Sequence, residues 1–476
     1  MTIRLYDTRS ASLVDLEPRE PGKVGIYVCG PTVQAAPHIG HLRSALVYDI
    51  WRRWLTYRGL DVTLVRNVTD IDDKILNQAV DAAAAGSTEQ WWALAYRIEL
   101  EFTAGYTELG ILPPTYEPRA TANISEMREL IAKLIDRGHA YAAADDSGDV
   151  YFDTSSWPEY GDLTRQKPED MVAATDADSR AKRNPRDFAL WKGSKPAEPE
   201  SASWSSPWGS GRPGWHIECS AMSRRYLGSA FDIHGGGLDL RFPHHENELA
   251  QSSAAGDEFA KHWVHNGMVN VNGQKMSKSL GNSVLARDLL DSARPIVVRY
   301  LLGAAHYSST IDYTDGSIDE AEAAFERLEV FIERAARRLR DTRFDTANTN
   351  EVPEAFGEAM DDDLAVPQAL AVVHDTIRSG NAALDDGDLA AVATARSQVV
   401  AMAQVLGINP LDPRWGSDRS EPAVAALSAL VEKLIEDRNT ARTSKDFAVA
   451  DRIRDELSAA GITVEDDSTG SHWSLP

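Results

Sequence analysis

Only two cysteines occur in 476 residues, and each stands near histidines. Cys29 closes an apolar run and precedes a turn carrying His38 and His41, in VCGPTVQAAPHIGH. Cys219 lies in GWHIECSAMS, shortly before FPHHENE, where His244 and Glu248 are four apart. On a helix that spacing puts both side chains on one face, about one turn apart. Pro243 suits a first helical turn. Two thiolates, one imidazole and one carboxylate would make a mixed four-coordinate zinc site. The competing reading is that both cysteines are small buried residues and the histidines decorate a loop.

Two more stretches suit phosphate chemistry. In PHIGH, residues 37–41, a helix N-terminus would offer unpaired N–H groups and a partial positive charge to a phosphate. Histidines on that turn can donate hydrogen bonds as charge develops. In NGQKMSKSLGN, residues 272–282, Lys275 and Lys278 lie between Gly273 and Gly281. Such a mobile basic loop can close over phosphates. Either stretch alone resembles a solvated turn; the pair is specific.

These residues need a scaffold. An apolar strand at 25–29 is followed by a helix over 42–57, with Leu42, Leu46, Ile50 and Trp54 at helical spacing and Gly59 ending it. A second strand follows at 61–65. Strand, helix, strand in so short a span is a βαβ unit, which predicts an α/β, doubly wound parallel sheet of Rossmann-like type. Residues 115–204 break the pattern and read as a loop-rich insertion, strand-like at 151–153, small and polar at 173–182, and rich in Pro, Glu and Ser at 195–206. The α/β pattern resumes at 230–234. From Ser317 the chain turns helical, with Ala324, Leu328 and Phe331 on one stripe and further helices at 364–380 and 388–406. A linker at 408–422 precedes a last helical segment over 425–460 and a short tail. The expected domains are a catalytic sheet domain in two halves (1–114 and 205–265) split by the insertion, a basic-loop region (266–316), and all-helical domains at 317–408 and 420–476.

Composition sets limits. At 43% hydrophobic and 26% charged, the chain suits a soluble globular fold. A net charge of -24 argues against a surface that is basic throughout. A local basic stripe still works, because screening limits each charge to about 10 Å. No apolar h-region opens the chain, and no stretch reads as the ~18 apolar residues of a membrane span. A cytosolic protein with free, metal-bound or catalytic thiols is expected.

The stretches together resemble a known family. His-Ile-Gly-His and Lys-Met-Ser-Lys-Ser are similar to the two signatures of class I aminoacyl-tRNA synthetases. Cys29-Gly-Pro-Thr, Asn67-Val-Thr-Asp-Ile-Asp-Asp, Trp215-His-Ile-Glu-Cys219, Phe242-Pro-His-His-Glu-Asn-Glu and Lys445-Asp-Phe-Ala-Val-Ala-Asp-Arg resemble those of cysteinyl-tRNA synthetases. The resemblance spans nearly the whole chain. It implies activation of L-cysteine by ATP to an adenylate, followed by transfer to the 3′ end of tRNA(Cys). It further implies one Zn2+ on Cys29, Cys219, His244 and Glu248, Mg2+ with ATP, a monomer, no membrane partner and an anticodon-binding domain at 420–476.

By the same resemblance, His38, His41, Lys275 and Lys278 are catalytic, and His38, Gly40, His41 and Lys278 bind ATP. Cys29, Gly30, Thr32, Thr69, Trp215 and Asp239 surround the substrate. Zinc would act as a selector, since shape separates cysteine from serine poorly whereas a soft ion prefers thiolate. Substrate entry then needs a fifth ligand or a loosened Glu248. Arg334, Arg337, Arg338, Arg340 and Arg343, with Lys433, Arg438, Arg442, Lys445, Arg452 and Arg454, are the expected RNA contacts, and Trp473 a stacking platform. Two alternatives remain: a ligase joining cysteine to an amino sugar in mycothiol synthesis, and an inactive tRNA-binding scaffold.

Overall fold

The computed structural model describes residues 2–167, 171, 182–276, 280–344, 351–415, 421–467 and 470–474. They fall into two compact units, Met1–Pro410 and Leu411–Pro476.

In the first unit, four strands form an all-parallel sheet, in the spatial order Phe259–Asn266, Ala230–Gly237, Lys23–Val28, Asp61–Arg66. The Lys23–Val28 strand buries Val24, Ile26, Tyr27 and Val28, the continuous apolar run of a strand covered on both faces. The chain runs outward from this strand to Asp61–Arg66, then starts the other half at Ala230–Gly237. The order therefore reverses between the Lys23–Val28 and Ala230–Gly237 strands. Beyond the carboxyl ends of the strands, such a switch point leaves a crevice. Cys29 sits there, with its N–H bonded to Gly235 O at 3.0 Å.

The helix Ile39–Tyr57 begins three residues before its expected start at 42, because His38 already caps it. Leu42, Leu46, Ile50 and Trp54 are all buried, as their spacing required. Tyr48 pins the helix to the sheet by donating to Val264 O at 2.8 Å and accepting the Gly236 N–H at 2.5 Å. A Cβ on Gly235 would come within 2.3 Å of Tyr48, so only glycine permits this approach. Buried Arg299 pairs with Asp49 of this helix at 2.5 Å and also donates to Leu406 O and Gly110 O. One buried charge thus meets both a carboxylate and orphan carbonyls at helix ends.

The segment between the sheet halves, expected to be loop-rich and strand-like only at 151–153, carries the helix Ile124–Asp136 and an antiparallel sheet that includes Val150–Phe152. Its order is Ala140–Ala142, Val150–Phe152, Phe188–Gly193, Gly211–Pro213. Three of its strands are only three residues long, and the register shifts at Val150/Tyr151, which hides the period-two signal. Of the small, polar stretch at 173–182, residues 173–181 lie outside the described residues.

The helices Ser317–Leu339, Val366–Asp386 and Leu389–Leu406 pack together as a bundle. The buried stripe of the first runs through Ala321, Phe325, Leu328 and Ile332; Ala324 is only half-buried. Leu389–Leu406 is long and apolar enough to cross a membrane, with a mean hydropathy of 1.3, against the expectation that no stretch qualified. Its small side chains instead pack between the other two helices as a core.

The second unit holds the helices Glu421–Thr443 and Phe447–Ala459, then an antiparallel hairpin, Thr463–Asp467 with Gly470–Ser474. The single helical segment expected over 425–460 is interrupted at Lys445, whose φ is +61, and Asp446 caps the second helix. The expected tail is the hairpin. Val431, Ile435, Ile453, Leu457 and Ile462 form the core, and Trp473 packs against it. Trp473, expected as a stacking platform, is thus half-buried and helps to close a small core. Arg438, expected among the RNA contacts, is 6% exposed and donates to Ser471 Oγ at 3.2 Å.

Candidate active site

The crevice is a cavity of about 390 Å³ lined by Cys29, Gly30, Thr32, His38, Gly40, His41, Trp215, Asp239 and Lys275. Gly30 is needed at its place, since a Cβ there would lie 1.6 Å from Asn67 O. Its N–H donates to Asn67 Oδ1 at 2.8 Å. Thr69, expected at the substrate, is 1% exposed and not on the cavity wall. Its hydroxyl donates to Glu218 Oε2 at 2.8 Å, so it braces the strand end from behind.

Cys29, Cys219, His244 and Glu248 come from three parts of the chain, and their ligand atoms lie within 4.8 Å of one another. Cys29 follows the first strand, Cys219 lies inside the helix Trp215–Leu227, and Glu248 lies in the first turn of Glu246–Ala254. Cys29 Sγ is 3.2 Å from Glu248 Oε1 and 3.6 Å from Cys219 Sγ, and His244 Nε2 is 3.0 Å from Glu248 Oε1. All four are buried at 9% exposure or less. Burying two thiols, a carboxylate and an imidazole together is costly without a cation, and two sulfurs select a soft one, so the residues fit zinc.

A second set, Cys29, His234, His245 and Glu248, is equally close. It offers only one sulfur, and His245 Nδ1 lies 2.8 Å from His265 Nε2. The two-thiol set is therefore the better zinc site. His234 Nε2 lies 2.8 Å from Glu248 Oε2, and His216 Nδ1 lies 2.9 Å from His244 Nδ1. These partners orient the ligands from behind. Sequence reasoning missed them, although His216 in GWHIEC and His234 in FDIHGGG stand inside or beside the motifs it used. Trp215 stacks on His244 at 4.1 Å and walls the cavity above the ligands.

Burial, followed by the bonds to Cys219, pushes the Cys29 thiol well up. Cys219 is drawn down to about 6, its burial outweighed by hydrogen bonding with Cys29 and His244. The pair thus gives up a first proton readily and holds the second. Despite burial, His234 and His244 keep the Glu248 carboxyl well below its usual range.

The signature turn differs from expectation. The Gly40 N–H donates to His38 Nδ1 and the His38 N–H donates to His41 Nδ1, both at 3.2 Å, while the Ile39 N–H reaches Val284 O. The first N–H groups of the helix are already bonded, so the open anion cradle is closed. With each Nδ1 accepting, each ring carries its proton on Nε2. The rings stack at 3.7 Å. Burial lowers the His38 pKa, and burial together with His38 lowers that of His41 to about 3. Both are neutral donors rather than cations. Lys275 is exposed on the rim in the short strand Gln274–Lys275, while Lys278 lies outside the described residues.

The chain matches three families in order: tRNA synthetases class I (C) catalytic domain over residues 15–323, DALR domain over 355–410, and cysteinyl-tRNA ligase anticodon binding domain over 425–473. It is 68% identical to the cysteine–tRNA ligase of Clavibacter michiganensis subsp. michiganensis, covering 100% of this chain and 99% of that one. It is 69% identical to that of Leifsonia xyli subsp. xyli, with 100% of both covered. Among solved structures, Mycobacterium tuberculosis methionyl-tRNA synthetase with methionyl-adenylate shares the fold at a TM-score of 0.58 and 18% identity, over 83% of this chain and 91% of that one. The three family matches in order, with relatives 68–69% identical over the full chain, show that the chain belongs to the cysteine–tRNA ligase family of class I aminoacyl-tRNA synthetases.

Proposed function

We propose that the chain activates L-cysteine with ATP and transfers it to tRNA(Cys). The observation that carries this reading is the two-thiol donor set, whose Cys29 lines the same cavity as the signature histidines. Cys29, Cys219, His244 and Glu248 would hold a zinc ion, which when bound would supply a soft centre that prefers a thiolate to serine's hydroxyl. Trp215 walls the pocket and orients the small substrate. Asp239, on the same wall, is placed for the ammonium group. The cysteine carboxylate then attacks the α-phosphate of ATP, which arrives with Mg2+, and pyrophosphate leaves. His38 and His41 donate from Nε2 to the phosphate as charge builds, and Lys275 and Lys278 neutralise the departing pyrophosphate. A terminal ribose hydroxyl of the tRNA next attacks the aminoacyl carbonyl and releases AMP.

The acceptor is the point that separates the readings. A folded terminal unit matching an anticodon-binding family supports tRNA over an amino sugar. Intact signatures speak against an inactive scaffold. The family resemblance supports a cytoplasmic monomer with no membrane partner. The purified protein, given radiolabelled cysteine, ATP, tRNA and the amino sugar together, is expected to label the tRNA. Label on the sugar would overturn the reading, and absence of cysteine-dependent ATP–pyrophosphate exchange would favour the scaffold.

A further inference from the structure

Cys29 and Cys219 are the only two cysteines in the chain, and their sulfurs stand 3.6 Å apart. They are not equivalent. Cys29 lines the cavity and is 9% exposed, whereas Cys219 lies behind it inside a helix at 1% exposure. A small solute entering the crevice therefore meets the Cys29 thiol before that of Cys219, which stands 3.6 Å away behind it. We propose that the pair is an oxidative modification site, in which Cys29 reacts with a peroxide and Cys219 resolves the product to a disulfide.

The chemistry balances within these two side chains and the oxidant. The Cys29 thiol passes its proton across the hydrogen bond to Cys219 and attacks one oxygen of hydrogen peroxide; the O–O bond breaks, and hydroxide leaves to take up a proton. Cys29 then carries a sulfenic acid. The Cys219 sulfur attacks Cys29 Sγ, an S–S bond forms, the S–O bond breaks, and the departing hydroxide takes the Cys219 proton. One thiol, one thiolate, one peroxide and one proton give one disulfide and two waters. The sulfurs need only close from 3.6 Å to about 2.05 Å. A sensor cysteine reached from solvent and backed by a resolving one follows the same logic.

One consequence rests on the zinc reading proposed above. Thiolates bind metal and a disulfide does not, so oxidation removes two of the four donors and releases the ion. Substrate cysteine, seated over Cys29, would shield the site. The test treats the zinc-loaded, reduced full chain with hydrogen peroxide, follows zinc with a chromogenic chelator, and maps cysteines by mass spectrometry. The expected result is a Cys29–Cys219 cross-link that rises in step with zinc release, one per ion, slows with added cysteine, and reverses with dithiothreitol. In Cys219→Ser, Cys29 should instead accumulate as sulfenic and sulfinic acid. Two unlinked thiols after treatment, or sulfinic acid on Cys29 of the unaltered chain as the main product, would overturn the proposal. A cross-link that forms in the zinc-loaded protein without release of zinc would sink the metal reading and leave the modification site standing.

Discussion

The floor and the rim of one cavity are built differently. On the floor, Cys29, Cys219, His244 and Glu248 are fixed by a strand end and two helices and are backed by His216 and His234. On the rim, Lys275 stands exposed on a two-residue strand. A donor set that must tell sulfur from oxygen gains from being preassembled, because any reorganisation on binding would weaken the preference. Groups that meet a triphosphate and then release pyrophosphate gain from lying at the surface. On the proposed reading, selection would belong to the floor and turnover to the rim.

The largest effect that would break this division comes from the floor. Cys219→Ser should remove most of the bound zinc, because a hydroxyl is a poor ligand for a soft ion, and cysteine-dependent exchange should fall by more than about 100-fold. Metal analysis checks the first, and undiminished zinc in that variant would end the four-ligand account. The rim predicts a different signature. Lys278→Ala, and more weakly Lys275→Ala, should lower single-turnover activation by about 100-fold while leaving cysteine affinity within about twofold. A raised dissociation constant for cysteine with intact activation would move the lysines from rim to floor.

A third contrast lies between the two units. Removing residues 411–476 should spare cysteine-dependent exchange but reduce tRNA charging by about tenfold or more, because the catalytic crevice lies wholly within the first unit. With a net charge of -24, full-length binding to tRNA should weaken steeply with salt, and the truncated chain should show a shallower slope. Equal charging by both forms would return weight to the amino-sugar ligase.

The smallest effect concerns acid. Burial depresses the pKa of His265 to about 3 from an unfolded value of 6.5. The unfolded chain therefore binds a proton that the folded chain refuses between those values. Stability is unaffected above pH 6.5 and falls as pH drops below it, by up to about 1.4 kcal/mol per pH unit for this one group. His265→Gln should flatten the acid limb of a denaturation series; an unchanged slope would show that His265 takes up protons in the folded state.

What the sequence carried and what it withheld follow from the range of each signal. The sheet strands and the helix over Leu42, Leu46, Ile50 and Trp54 were legible, because their buried faces repeat at short spacing. The four donors were legible as types, and the family resemblance joined them, although 190 residues separate the cysteines. The capped signature turn was not legible, since a histidine accepting from a backbone N–H leaves no periodic trace. The bond from the Thr69 hydroxyl to Glu218 was not legible for a related reason: 149 residues separate the two, and only the fold joins them. Of the insertion sheet only the stretch at 151–153 was legible, because strands of three residues such as Ala140–Ala142 and Gly211–Pro213 fall below any window that detects alternation.

The central claim is that the floor recognises cysteine through a metal–sulfur bond. Cobalt-substituted protein, titrated with cysteine and separately with serine, tests it most directly through its sulfur-to-metal charge-transfer absorption. The account predicts that cysteine strengthens the band by one added thiolate while serine leaves it unchanged. Cysteine binding at full affinity with no change in that band would contradict it.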